Sequence, residues 1–189
     1  MGMTGHIVGA ADCLLLGLAT AQVPTGSLVD LKEKLLHVHV DQIDSIISQF
    51  QTDAGQSLLA SQRQLIDHIF ADGAVESMRD RAVDLAGKMP HNKLLNAIVT
   101  AFETRCPLSI KLFDRLLAVT DDLTDPVAAI ELDFHLALRL TKRADFAEGI
   151  RAIIIDKDQA PQWTPNSLET VTETMLDAVF DRNGLPSLR

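Results

Sequence analysis

The chain has 189 residues, 17 of them Lys or Arg and 26 Asp or Glu, for a net charge of -9. That acidity argues against nucleic acid as the main partner, because phosphate backbones are held by clustered Lys and Arg. Hydrophobic residues make up 47% but aromatics only 4%, so the core must be built from Leu, Ile, Val, Ala and Met, a palette that leans toward helices.

The pattern from Ala10 to Leu18 predicts a short helix whose end is blurred by Gly17. Its Leu14-Leu15-Leu16 core and the Ala19-Thr20-Ala21 that follows resemble a secretory signal, but the first basic residue is Lys32, so the positive start of such a signal is missing. Ala19 to Val23 reads as a brief strand stopped by Pro24. Ser27 is placed to cap a helix to about His37, with Leu28, Leu31 and Leu35 on one face, and Asp41 to cap the next, carrying Ile43, Ile46, Ile47 and Phe50. Residues 51–57 form a loop, and Leu58 to Phe70 is predicted as one helix.

Beyond Asp72, the spacing of Val75, Met78, Ala82, Leu85 and Met89 is that of a buried helical stripe ended by Pro90. A helix from His91 to Arg105 follows, then one opened by Pro107 and running to about Val119. Asp125-Pro126 is a strong start signal for a long helix to Lys142 or Arg143. Asp145 with Glu148 resembles a capping box, opening a helix with Phe146, Ile150, Ile153 and Ile154 inward. Pro161 and Pro165 keep residues 156–166 out of a continuous helix, and Ser167 is placed to cap a last one carrying Leu168, Val171, Met175 and Val179. The prediction is therefore a mainly α chain of about eight helices with one short strand near the N-terminus.

Few motifs carry chemistry. His37 and His39 point apart if helical, and nothing supplies a third metal ligand, so no metal site is assigned. Cys13 and Cys106 lack metal spacing and read as reduced thiols. There is no nucleophile elbow and no glycine-rich nucleotide cradle. No stretch approaches the length of a membrane span, so no membrane partner is expected. The distinctive segment is DFAEGIRAIIIDKDQAPQWTP, residues 145–165, which holds the only Trp, a tight charge cluster and flanking prolines. It reads either as a docked loop with Trp163 in an apolar notch or as a ligand-facing loop, with Arg151 and Lys157 offering charge to phosphates.

In that segment Asp145, Phe146, Glu148, Gly149, Arg151, Ala152, Ile155, Asp156, Lys157, Asp158, Pro161 and Trp163 fit the pattern D-F-x-E-G-[IV]-R-A-x-[IL]-I-D-K-D-x-x-P-x-W. The chain thereby resembles the 3-hydroxyisobutyryl-CoA hydrolases, a branch of the crotonase (enoyl-CoA hydratase/isomerase) superfamily. Cys106-Pro107-Leu108-Ser109 stands where the family shows S-P-x-S, and Asp133-Phe134-His135-Leu136 where it tends to show E-Y-R-L.

The resemblance implies the C-terminal helical part of a crotonase-like fold lacking the β-β-α spiral, with residues 1–24 as a remnant of the end of the core and 25–189 as the helical region. The spiral is what supplies the family's oxyanion hole and acidic residues, so no catalytic residue is carried over to this chain. The resemblance implies an acyl-CoA substrate in the full-length context, within valine catabolism, and no separate cofactor, since coenzyme A is part of the substrate. Arg151 and Lys157 are candidates for substrate binding or site closure and Trp163 for anchoring the loop. The unpaired strand and the absent machinery lead to an expectation of a missing spiral upstream, or of self-association through an exposed apolar face. The implied compartment is the cytoplasm, or the mitochondrial matrix in a eukaryote. Alternatives are a standalone helical interaction module without catalysis and a fragment of an enoyl-CoA hydratase or isomerase.

Overall fold

The structure, a computed structural model, describes residues 1–121 and 123–186. They divide into two compact units, one of residues 7–68 and one of residues 1–6 with 69–189.

In the first unit, α1 (Ala10–Leu15) contacts α4 (Leu58–Ser61), and α2 (Leu28–Leu35) contacts α3 (Ile43–Phe50); α5 (Arg63–Ile69) belongs to it up to His68. Gly17 ends α1 because it reaches φ 69, which lets Leu18 N–H bond the Cys13 carbonyl and Gly17 N–H the Leu14 carbonyl. This is the paired arrangement that satisfies orphan carbonyls at a helix end. Asp12 is buried and accepts from Ser57 Oγ at 2.6 Å and from the Leu59 N–H at 3.0 Å. Those donors, the Ser57 hydroxyl foremost, hold its carboxyl below the ordinary range. Leu31 is the one buried apolar side chain of this unit among the described residues, so polar ties carry much of its definition.

The expected strand is not there. Residues 19–23 are extended, but the described chain offers them no ladder: the Gln22 carbonyl accepts a single bond from the Thr52 N–H at 3.0 Å. One hydrogen bond does not make a sheet, and β propensity is expressed only against paired neighbours. The predicted helix from Leu58 to Phe70 is also two, broken at Gln62, whose φ -109 and ψ 11 lie outside the helical well.

The second unit holds α6 (Val75–Lys88), α7 (Lys93–Thr104), α8 (Pro107–Thr120), α9 (Pro126–Leu140), α10 (Ala144–Ile150) and α11 (Glu173–Phe180). The stripe of α6 buries Val75, Met78 and Ala82 against α7, whose Leu94, Leu95, Ile98 and Phe102 face back. Helices α8, α9 and α11 share a second core of Leu108, Leu112, Leu132, Leu136, Val171, Leu176 and Val179. Start signals act as the sequence predicts: Pro107 and Pro126 lie at first helical positions, and Asp125 accepts the Val127 N–H at 2.9 Å. The mainly helical prediction holds, with eleven α-helical segments among the described residues, several shorter than expected.

Three local expectations are corrected. The helix after α9 starts at Ala144 with Arg143 at its N-cap; Asp145 does not cap it, because its carboxylate is committed to a distant loop. Ser167 precedes a 3-10 turn, Leu168–Thr170, and α11 is capped instead by Thr172, which accepts the Met175 N–H. Phe146, Ile153 and Ile154 do not face the core, being 48%, 57% and 59% exposed; Ala152 is the buried residue of that turn. For Ile153 and Ile154 the cause is the backbone: Arg151–Ile155 is a π-turn, with the Asp156 N–H on the Arg151 carbonyl at 2.8 Å, so α-helical spacing does not predict its faces.

Candidate functional site

Three carboxylates of the distinctive segment converge on one guanidinium. Arg151, the residue after α10, directs Nε and Nη2 to the two oxygens of Glu148 at 2.9 and 2.7 Å, Nη1 to Asp156 at 2.7 Å and to Asp158 at 2.6 Å, and Nη2 again toward the Ala160 carbonyl at 3.5 Å. Every one of the five N–H groups a guanidinium owns is thereby aimed at a protein acceptor. Glu148 also accepts the Gln162 N–H at 2.7 Å, and Asp158 the Ala160 N–H at 2.9 Å. The result is a clamp that folds residues 156–162 back onto the end of α10.

The electrostatics follow from that geometry. The Arg151 fork, helped by the Gln162 N–H, holds Glu148 down to about 2. The Ala160 N–H and then Arg151 hold Asp158 below its usual range, while Glu148, Asp158 and Asp156 push Arg151 further up. Glu148, Asp158 and Arg151 therefore stay ionised at neutral pH.

The loop is anchored beyond the clamp. Trp163 donates Nε1–H to the Thr104 carbonyl at 2.8 Å and packs over Gly149. Asp145 accepts the Thr164 N–H at 2.8 Å, and the Thr164-Pro165 peptide is cis with Pro165 buried. Lys157 lies exposed at the crest of the turn with φ 57, and Gln159 follows with φ 53. Such left-handed backbone is uncommon for residues with a Cβ and persists where surroundings fix it. Lys157 makes no ion pair among the described residues.

Of the three sequence candidates, the structure brings Arg151 and Trp163 into one loop assembly and leaves Lys157 on its outside. The acidic half of the assembly, Glu148, Asp156 and Asp158, stands in the sequence motif but was given no site role there; its signal was an Arg with carboxylates at -3, +5 and +7 around a helix end. His39 bonds Asp41 at 2.7 Å rather than joining His37 on a ligand, and no group of three metal-ligating side chains occurs among the described residues.

Beside the loop runs an apolar groove of about 330 Å³, bounded by α8 on one side and by α10 and its π-turn on the other. Leu108, Leu140, Phe146, Ile150, Ile153, Ile154 and Trp163 form most of its wall, with Cys106, Ser109, Arg143 and Asp145 at its polar edge. Trp163 and Arg143 also border a second, more open depression of about 510 Å³ lined by Thr164, Asn166 and Thr170.

The backbone identifies the fold class. The chain superposes with a TM-score of 0.83 on a carnitinyl-CoA dehydratase from Mycobacterium thermoresistibile, at 21% identity, covering 99% of this chain and 51% of that one. It superposes with a TM-score of 0.78 on an enoyl-CoA hydratase from Rhodobacter sphaeroides, at 25% identity and 50% of its length. The helical arrangement is thus that of half of a crotonase-like fold. The family model described as enoyl-CoA hydratase/isomerase matches residues 1–180, and the chain belongs to that family.

The curated relatives that the chain resembles carry a more specific name. The chain is 30% identical over 191 residues to a probable 3-hydroxyisobutyryl-CoA hydrolase 2 of Arabidopsis thaliana, covering 96% of this chain and 50% of the relative. It is 27% identical over 199 residues to the mitochondrial 3-hydroxyisobutyryl-CoA hydrolase of Gallus gallus, covering 100% and 50%. The chain spans about half the length of the curated relatives it matches, and the match is to their C-terminal half. No helix among the described residues is long and apolar enough to cross a membrane.

Proposed function

We propose that this chain forms the C-terminal helical portion of an acyl-CoA thioester hydrolase of the 3-hydroxyisobutyryl-CoA type, supporting and covering the acyl-CoA site rather than supplying the catalytic groups. The observation that carries this reading is the clamped loop: the residues that mark the hydrolase branch, from Asp145 to Trp163, are spent on building one fixed structure beside an apolar groove. A rigid wall of that kind excludes water and fixes the position of a substrate, which is how residues outside the chemistry raise a rate.

Thioester hydrolysis needs donors aimed at the developing oxyanion and a base within reach of water. The carboxylate that borders the groove, Asp145, accepts the Thr164 N–H and an Arg143 N–H, and Glu148, outside the groove lining, is held by Arg151, so both are committed to structural bonds. Arg151 acts in this reading as the closure-stabilising residue, Trp163 as the anchor, and Lys157 as the solvent-side charge nearest any phosphate that approaches the crest.

The test is an assay of the purified 189-residue chain with 3-hydroxyisobutyryl-CoA, alone and together with the N-terminal half of a family hydrolase. No turnover alone and restored turnover in the mixture are expected. Hydrolysis by the chain alone, well above the uncatalysed rate, rejects the supporting role. A second reading, a helical module that acts only through a protein partner, is favoured by the exposed Phe146, Ile153, Ile154 and Ile155. It predicts that the mixture stays inactive.

A further inference from the structure

Two arginines belong to this loop assembly, and they differ in what they have left to offer. Arg151 has all five N–H groups aimed at protein acceptors, three of them carboxylates. Arg143, at the N-cap of α10, has one hydrogen bond from its head group, a long 3.3 Å contact from Nη2 to Asp145. Its Nε is enclosed, out of reach of water or a ligand, and Nη1 meets no acceptor among the described residues. Nη1 is therefore the donor that a ligand oxygen would take in exchange for water.

Its place adds to that. Arg143 borders both the apolar groove and the open depression, and in both it stands beside Trp163. The groove walls next to it, Leu140, Phe146, Ile150 and Ile153, are hydrocarbon. Asp145 already pairs with Nη2, so a ligand that brings two negative charges meets more repulsion there than a ligand that brings one.

We propose that Arg143 is the anion-binding residue of this half-fold, holding the carboxylate of a short-chain aliphatic monocarboxylic acid whose hydrocarbon part lies in the groove against Phe146, Ile150, Ile153 and Trp163. The volume, about 330 Å³, lies at the small end of ligand sites. This deepens the reading above, since hydrolysis of a short acyl thioester by water yields the thiol and such an acid. It concerns binding alone, so failure here and failure to restore turnover are separate results.

Trp163 is the only Trp of the chain and borders the groove, so its emission reports on this place. The experiment titrates the purified chain with isobutyrate, isobutyramide and succinate while following that emission. Isobutyrate is expected to saturate, with the uncharged amide and the dianion at least about tenfold weaker, as the loss of one charge-assisted hydrogen bond implies. Arg143→Gln should weaken isobutyrate by a similar factor, whereas Arg63→Gln, whose side chain is 74% exposed in the other unit, should leave it unchanged. Equal affinity for the amide, an Arg143→Gln variant that binds as before, or no saturable change in the unmodified chain overturns the proposal. Should Arg143→Gln lose its helical circular dichroism, Ile153→Glu on the exposed wall serves instead: it should abolish isobutyrate binding by charge repulsion, and unchanged binding overturns the proposal equally.

Discussion

Trp163 passes so close to Gly149 that a methyl group at position 149 would stand 3.3 Å from its Cη2 atom. The absent side chain is therefore what lets the loop lie against α10. Gly149→Ala should be nearly neutral in stability, because alanine's gain of about 1 kcal/mol in helix propensity opposes a contact tight by a few tenths of an ångström. Gly149→Leu should cost about 1–3 kcal/mol through overpacking and shift the Trp163 emission toward that of an exposed indole. Thermal unfolding and fluorescence spectra of the two variants check this.

Arg151→Lys should loosen the loop nearly as much as Arg151→Gln. A lysine keeps the charge but has no planar fork to reach Glu148, Asp156 and Asp158 together. Limited proteolysis should cut both variants within residues 156–162 faster than the unmodified chain. If Arg151→Lys is protected like the parent, the clamp is simple charge balance rather than geometry.

The clamp also has an acid limit. Glu148 is depressed from its ordinary 4.5 to about 2 in the folded chain, so the stability it adds is present above about pH 4.5 and lost as pH falls toward 2. Amide-exchange protection of the Gln162 N–H, which Glu148 accepts, should decline across that window, and Glu148→Gln should remove this part of the pH dependence.

Asp145 is buried and accepts the Thr164 N–H, so Asp145→Ala leaves that donor without a partner and should cost about 1–3 kcal/mol. Denaturant unfolding measures it. A cost below a few tenths of a kcal/mol would mean that water replaces the carboxylate.

The exposed apolar side chains divide from the core in the same measurement. Leu108 is 1% exposed, and Leu108→Ala should cost about 2–5 kcal/mol. Ile154→Ser should change stability by no more than about 0.5 kcal/mol, yet reduce any self-association seen by light scattering.

What the sequence made legible was whatever depends on short range. Asp125-Pro126, Pro107 and the Val75–Met78–Ala82 stripe act through neighbours three or four residues away, and each was placed correctly. The strand at 19–23 was misread because extended backbone becomes a strand only when another segment pairs with it, which no local pattern reveals. Asp145 was misassigned for a related reason. A carboxylate three residues before a Glu suits a capping box, but its partner is the Thr164 N–H, 19 residues on. Arg151 was found through its motif, but that its donors are used up by Glu148, Asp156 and Asp158 required coordinates. Arg143, with donors to spare, carried no motif at all.

The π-turn at Arg151–Ile155 has a bearing on spacing. A wide turn of this kind accommodates one residue more than an α-helical turn over the same rise. Inserting a single residue between Arg151 and Asp156 would overfill even this wide turn, rotate everything after it by about 100° and swing Asp156 and Asp158 off the guanidinium, with every charged side chain retained. The number of residues from 151 to 156 is thus as much a determinant of the clamp as their identity. A chain bearing the same charged residues with that turn one position longer would carry the motif's letters and fail to build the clamp.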